Sequence, residues 1–242
     1  MIDIDIDDPG TWPRGEELIF VTDRLSTSAM LHCYQRGLFA MPLDQVRMGD
    51  GTIADVVGWF SPTPRGVLPL QQLRVRRSLR KMARRYQVSV DLAFEQVVMA
   101  CGDERRDGGW INPDFIACYL ELFDQQLAHS VEVWDDEGRL VGGLFGVHLG
   151  GLFSGESMFH DAERGRDASK VALMALVSVL GPNTGRLLDI QWLTDHLATM
   201  GASEIPRGDY VDLLSDALTM PCADFQPGVL APAQWRDCWL GC

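Results

Sequence analysis

The chain has 242 residues, 46% of them hydrophobic, and a formal net charge of −13. That is enough apolar material for one large or two small domains. No run of about 18 apolar residues offers a membrane helix, and the Ile/Asp alternation from Met1 to Asp8 is the reverse of a secretory leader, so a cytoplasmic protein is expected.

The first part, up to about Leu70, is rich in proline and glycine and holds one helix candidate. That helix starts at Ser26 or Thr27, either of which can cap it, and runs to Gly37. Trp59 to Arg65 reads as a rigid aromatic loop. From Arg74 to Arg85, Val75, Leu79, Met82 and Tyr86 recur at helical spacing, with Arg74, Arg76, Arg77, Arg80, Lys81, Arg84 and Arg85 on the other faces. Seven of the 21 basic residues thus fall in twelve positions, leaving −20 for the remainder. The negative total argues against a nucleic-acid partner, but this segregation is the pattern of a protein that presents one basic patch to a polyanion.

Val88 to Asp91 reads as a strand and Leu92 to Cys101 as a helix. Asn112 or Pro113 opens a helix through Phe123. His129–Trp134, Leu140–Leu149 and Gly151–Met158 follow as three strands joined by tight turns. Ala168–Leu180 is a strongly apolar helix; strand Leu187–Trp192, helix Asp195–Met200 and the C-cap Gly201 complete the series. This order predicts a mixed sheet with helices packed on it, α+β or α/β. A small N-terminal domain over residues 1–90 and a larger one over 91–242 are expected. Cys33, Cys101, Cys118, Cys222, Cys238 and Cys242 are scattered without a CxxC pair, so neither a zinc site nor a disulfide framework is expected. No metal and no cofactor are expected.

Two strands carry the chemistry. Glu156 interrupts an apolar strand, where an unpaired charge is expensive. In the second, Leu187, Asp189 and Gln191 share a face by alternation. Two interior carboxylates and a glutamine suggest a polar site inside a sheet, although either carboxylate could also complete a buried salt bridge.

The words Tyr34-Gln35-Arg36-Gly37-Leu38-Phe39, Trp59-Phe60-Ser61-Pro62, Trp110-Ile111, Ala128 to Trp134, Gly155-Glu156-Ser157-Met158-Phe159, Ala168-Ser169-Lys170, Leu188-Asp189 with Gln191, and Glu204-Ile205-Pro206-Arg207 occur in this order. Together they resemble the leucyl/phenylalanyl-tRNA–protein transferase family over about Leu18 to Leu214. Three positions depart from its pattern: Phe20-Val21-Thr22-Asp23 replaces a Gly-Gly-Asp, Ala40-Met41-Pro42 a proline–tryptophan word, and Ile190 a cysteine. The resemblance implies a small N-terminal domain beside a GNAT-type acyltransferase domain. It implies transfer of leucine or phenylalanine, and possibly methionine, from aminoacyl-tRNA to an acceptor protein beginning with Arg or Lys, which marks that protein for degradation.

By that resemblance the catalytic residues are Glu156, Asp189 and Gln191. Asp189 would fix the Gln191 amide and attract the ammonium group, the Gln191 oxygen would accept a hydrogen bond from the attacking amine, and Glu156 would hold the cation or assist proton removal. Ester aminolysis needs no covalent intermediate, and orientation can supply much of the rate. An apolar pocket must hold the amino-acid side chain; Leu144, Phe153, Met158, Leu173, Leu176 and Leu188 are its candidates, each also readable as plain core. Trp59 and Trp110 are candidates to stack on the 3′-terminal adenosine, or simply cover core edges. Arg74, Arg76, Arg77, Arg80, Lys81 and Arg84 would meet tRNA phosphates, which position without reading sequence; a solvated surface helix is the alternative. Two other functions compete. An acetyl-CoA-dependent N-acetyltransferase would need a glycine-rich pyrophosphate loop, where this chain has the acidic Asp161 to Asp167. A non-catalytic tRNA- or peptide-binding module would not need Glu156, Asp189 and Gln191 together.

Overall fold

Short apolar stretches of the N-terminal part, too irregular to announce themselves, pair into a three-stranded antiparallel sheet. The computed structural model describes residues 5–13, 15–47, 49, 51–103 and 109–239. The small sheet comprises Leu18–Thr22 (β1), Phe39–Arg47 (β2) and Ile53–Phe60 (β3), in the order β1-β3-β2. Pro42 lies on the edge strand β2, where its missing N–H does no harm. Between β1 and β2 runs the expected helix, Thr27–Tyr34 (α1). The Ser26 hydroxyl caps it by accepting the Ala29 N–H at 3.2 Å.

The stretch expected to be an aromatic loop is partly strand. Trp59 and Phe60 end β3 and Arg65 opens Arg65–Val67 (β4), so only residues 61–64 connect them. The basic helix is also shorter than its spacing predicts. It covers Arg77–Ala83 (α2), with Arg74 and Arg76 ahead of it, because the Arg74 N–H is taken by the Met200 carbonyl at 2.8 Å. Its apolar stripe is as predicted: Val75, Leu79 and Tyr86 are buried and Met82 packs beside them.

Gln87–Val90 (β5), Phe94–Cys101 (α3) and Pro113–Asp124 (α4) follow. Asn112 caps α4 through the N–H groups of Asp114 and Phe115, both at 3.1 Å, with Pro113 at the first helical position. The three-stranded meander is Ala128–Trp134 (β6), Leu140–Leu149 (β7) and Leu152–His160 (β8). Ala168–Leu180 (α5), Leu187–Gln191 (β9) and Asp195–Thr199 (α6) come next. Ser203–Ile205 (β10), Arg207–Leu218 (α7), Gly228–Val229 (β11) and Pro232–Trp235 (α8) extend beyond the elements the sequence suggested. The larger sheet runs β10-β4-β9-β8-β7-β6-β5-β11, mixed because β8 and β9 are parallel. The fold is therefore α+β. The division expected at residue 90 runs through this sheet, which takes β4 and β5 from before it.

Alternation on β6 separates two cores. Val131 and Val133 meet α5 on one face; on the other, Ala128 joins a cluster with Tyr34, Phe94, Phe115 and Tyr119. The C-terminal segment closes one sheet edge. β11 pairs with β5, and Phe225 stacks on His129 at 4.2 Å and 8°. Ten residues of α5 are buried, which requires close seating on the sheet. At Gly142 of β7 an added Cβ would stand 2.5 Å from the Cβ of Ala168. Gly142→Ala is expected to destabilise the protein by about 1–3 kcal/mol through overpacking, read as a lower denaturant midpoint. An unchanged midpoint would mean that α5 does not bear on β7 there.

Candidate active site

The site sits where β8 and β9, the one parallel pair among the described strands, come apart. β8 and β9 pair through Leu152 to Ser154 against Leu187 to Asp189, and no further. Both strands continue past that point, and a cavity of about 310 Å³ opens between them. Its walls draw on both cores, Leu144 from one and Phe145 from the other. Leu144, Met158, Leu173, Leu176 and Leu188 line it as expected, and Trp110 joins them. Phe153 does not. Its ring is fully buried and stacked on Phe225 at 5.7 Å. Trp59 is also excluded as a stacking platform. It is 1% exposed, stacked on Phe20 at 5.7 Å, and its Nε1 donates to the Thr22 hydroxyl at 3.0 Å. Phe39, Met41, Ile190, Trp192 and Leu197 complete the apolar wall, and the sequence marks none of them as pocket residues.

Glu156 reaches the cavity through a bulge. Phe145 pairs with Ser157 and Gly146 with Gly155, so Glu156 is an extra residue on β8 with no partner on β7. Such a bulge re-aims a side chain that the pleat would otherwise fix. The Tyr119 hydroxyl donates to Glu156 Oε2 at 2.7 Å, while Oε1 is sealed from solvent without a hydrogen bond. Burial pushes the carboxyl from its ordinary 4.5 up to about 7; the hydroxyls of Tyr119, Tyr34 and Ser154 work against that rise, and the charge of Asp189 adds to it. Tyr34 lies near enough to act on this charge, yet its hydroxyl meets no group in ordinary hydrogen-bond geometry.

Asp189 faces four donors. Arg65 grips it in bidentate fashion, Nε to Oδ1 at 2.9 Å and Nη2 to Oδ2 at 2.6 Å. The Tyr210 hydroxyl gives to Oδ2 at 2.9 Å and the Gln191 backbone N–H to Oδ1 at 3.0 Å. Both charged side chains are 1% exposed. The family resemblance implies that Asp189 holds the Gln191 side-chain amide and an incoming ammonium; the structure gives it Arg65 and the Gln191 main chain instead. Gln191 adopts a left-handed φ of 56°, which breaks the strand alternation and turns its side chain to Ser154. Its Nε2 donates to the Ser154 hydroxyl at 2.8 Å. The amide oxygen has no hydrogen-bond partner among the described residues, and Gln191 lines the cavity.

The predicted tRNA contacts form a separate surface. Arg77, Arg80, Lys81 and Arg84 border one depression on α2. Arg74, Arg76, Arg77, Lys81 and Arg84 are exposed and make no ion pair with a described carboxylate. Arg80 is half-buried, its Nε on the Val75 carbonyl at 3.2 Å.

An apolar cavity with a few convergent polar groups and a carboxyl raised by burial is the arrangement of an enzyme site, here on an α+β scaffold. A family model described as leucyl/phenylalanyl-tRNA protein transferase matches residues 67–215. A leucyl/phenylalanyl-tRNA–protein transferase of Herpetosiphon aurantiacus is 46% identical over 201 residues, covering 82% of this chain and 97% of its own. One of Rhizorhabdus wittichii is 48% identical over 193 residues, covering 78% and 73%. Among solved structures, "The structure of L-PGS from Bacillus licheniformis" shares 13% identity at a TM-score of 0.37, over 74% of this chain and 57% of that one, too slight a likeness to carry an argument. The chain belongs to the leucyl/phenylalanyl-tRNA–protein transferase family, whose members are aminoacyl-tRNA–protein transferases. No described helix is long and apolar enough to cross a membrane.

The raised Glu156 carboxyl has a consequence for stability. The folded protein binds its proton more tightly than the unfolded chain, so ionisation costs stability from above pH 4.5 and in full above about pH 7. Glu156→Gln removes that cost. Its thermal midpoint is expected to exceed the parent's at pH 8 and to match it near pH 4; equal midpoints at pH 8 would show that the carboxylate is compensated.

Proposed function

We propose that the cavity holds the leucine or phenylalanine side chain of an aminoacyl-tRNA while the α-amine of an acceptor's N-terminal Arg or Lys attacks the ester. Methionine fits the same requirement of a large side chain unbranched at Cβ. The observation that carries this reading is the split between β8 and β9: one apolar, side-chain-sized cavity with Glu156 and Gln191 on its wall. The attacking nitrogen forms a bond to the ester carbonyl carbon, the bond to the ribose oxygen breaks, and the proton the amine loses ends on that oxygen. An α-amine has an ordinary pKa near about 7.7–8.0, so modest help suffices. Glu156, with a carboxyl near 7, is suited to take the proton at neutral pH and return it to the leaving ribose oxygen. The free amide oxygen of Gln191 orients the amine's remaining N–H. Asp189 acts behind it, holding the Gln191 main chain rather than touching substrate.

Trp110 is the remaining candidate to stack on the terminal adenosine, and the cations of α2 to meet the acceptor-stem phosphates. We read the larger sheet as GNAT-like, as the family resemblance implies, and place the reaction in the cytoplasm. The product would carry a destabilising N-terminus.

Labelled leucine should pass from charged tRNA to an Arg-initiated peptide and not to a Gly-initiated one. Gln191→Ala should lower that transfer by about 10²–10³-fold, as removal of one positioned polar group does elsewhere, with tRNA affinity unchanged. Full activity in this variant would remove Gln191 from the mechanism. Reversing Arg77, Arg80 and Arg84 to Glu should weaken tRNA binding and flatten its salt dependence; binding that keeps the parent's salt slope would place the tRNA elsewhere.

A further inference from the structure

We propose that Glu17 receives the cationic side chain of the acceptor's first residue and thereby sets a preference for arginine or lysine; this rests on the transfer reading above. Gln191 is followed directly by Trp192, whose ring lines the cavity and is 36% exposed. The indole is held edge-on against Phe39 at 4.8 Å and 87°, and against Phe60 at 5.8 Å and 65°. Its Nε1 donates to Glu17 Oε2 at 2.9 Å. A carboxylate is thus fixed one indole away from the residue that orients the attacking amine.

Glu17 is open to a cation. Its Oε1 has no hydrogen bond and the carboxylate has no ion pair among the described residues, while its backbone carbonyl is anchored by the Ser61 N–H at 2.8 Å. Arg207 lies near enough for the charge of Glu17 to act on it. That guanidinium is committed to the backbone carbonyls of Pro13, Glu16 and Ser61, not to Glu17. Glu17 is half-buried, so a cation paired there interacts more strongly than one on an open surface. Glu156, the other carboxylate that bears on this wall, is inside the cavity and bound to Tyr119.

The chemistry selects the occupant. With the α-amine at Gln191, the first side chain of the acceptor leads along the indole. An aliphatic stem tipped with a positive charge suits that path: the stem covers the ring, the charge gains from the ring face, and its tip meets the free oxygen of Glu17. A neutral polar tip finds no counter-charge there, and an acidic one is repelled.

The test compares peptides that begin with arginine, lysine and citrulline, the last matching arginine in shape without its charge, using leucyl-tRNA as donor. The full-length protein should prefer arginine and lysine over citrulline by at least tenfold in kcat/KM. Glu17→Gln keeps an oxygen for the Trp192 N–H and removes the charge. It should erase that preference, mainly through KM for the arginine and lysine peptides. Trp192→Phe cuts the tie to Glu17 but keeps the charge, and should retain the preference even if overall turnover falls; a purely structural Glu17 would make both variants lose it together. Glu17→Arg should bring Glu-initiated peptides into use. Preference surviving in Glu17→Gln, or transfer by the parent protein without preference, would overturn the proposal alone. No transfer by the parent to any of the peptides would overturn the transferase reading and this proposal with it.

Discussion

The Arg65–Asp189 pair is the interaction on which the site depends. A carboxylate and a guanidinium withdrawn from water each cost several kcal/mol, and only close pairing with every donor and acceptor satisfied offsets that. Here the conditions are met from four parts of the chain. Arg65 comes from β4, Asp189 from β9, Tyr210 from α7, and the Gly37 carbonyl, from the turn after α1, takes Arg65 Nη1 at 2.9 Å. The guanidinium is also sandwiched near the rings of Tyr210, at 4.3 Å, and Phe39, at 4.9 Å. The same carboxylate that closes this knot draws back the Gln191 N–H and stabilises its left-handed backbone. The polar lip of the cavity is therefore an outgrowth of a structural ion pair.

The cavity has a second cause in the sheet itself. Antiparallel neighbours joined by tight turns, such as β7 and β8, stay paired to their ends. β8 and β9 are parallel, linked only through α5, and nothing forces them together past Ser154 and Asp189. Their divergence lets apolar side chains from both faces line one space. The bulge at Glu156 then puts a carboxyl into it without giving up the β7–β8 ladder on either side. Burial supplies a carboxyl poised near neutrality, and the tyrosines keep it from remaining fully protonated.

Much of the scaffold could be read from the chain because its signals are local. Ser26, Asn112 and Pro113 act within three residues of themselves, and the stretch from Ala168 to Leu180 is apolar nearly throughout and long enough to be a buried helix. The small sheet was missed because β2 carries a proline and a bulge between Leu43 and Val46, which erase the alternation. The basic helix is shorter than its spacing suggests because charge and spacing say nothing of a hydrogen bond to Met200, far along the chain. For the site, Glu156 and Gln191 were legible as polar residues on apolar strands, but the partner of Asp189 was not. Arg65 lies 124 positions away, and no pattern links the two. Trp59 shows the converse failure. A tryptophan beside Ser-Pro looks like a loop residue, and only the pairing of β1 with β3 buries it.

The strand order also dictates when this enzyme can exist during synthesis. β4 is made early, yet its neighbours in the sheet are β9 and β10, drawn from residues 187–205, and Tyr210 follows later still. Chains grow from the N-terminus at about 5–20 residues per second, and domains form as their segments emerge. Arg65 must therefore wait as an unmatched cation until almost the whole chain has left the ribosome. The small sheet and the β5-to-β8 region can form from what is already exposed, but the cavity has no second wall until β9 arrives. A nascent chain that ends before β9 therefore has Arg65 and the bulged Glu156 but neither the carboxylate that pairs with the one nor the glutamine that faces the other.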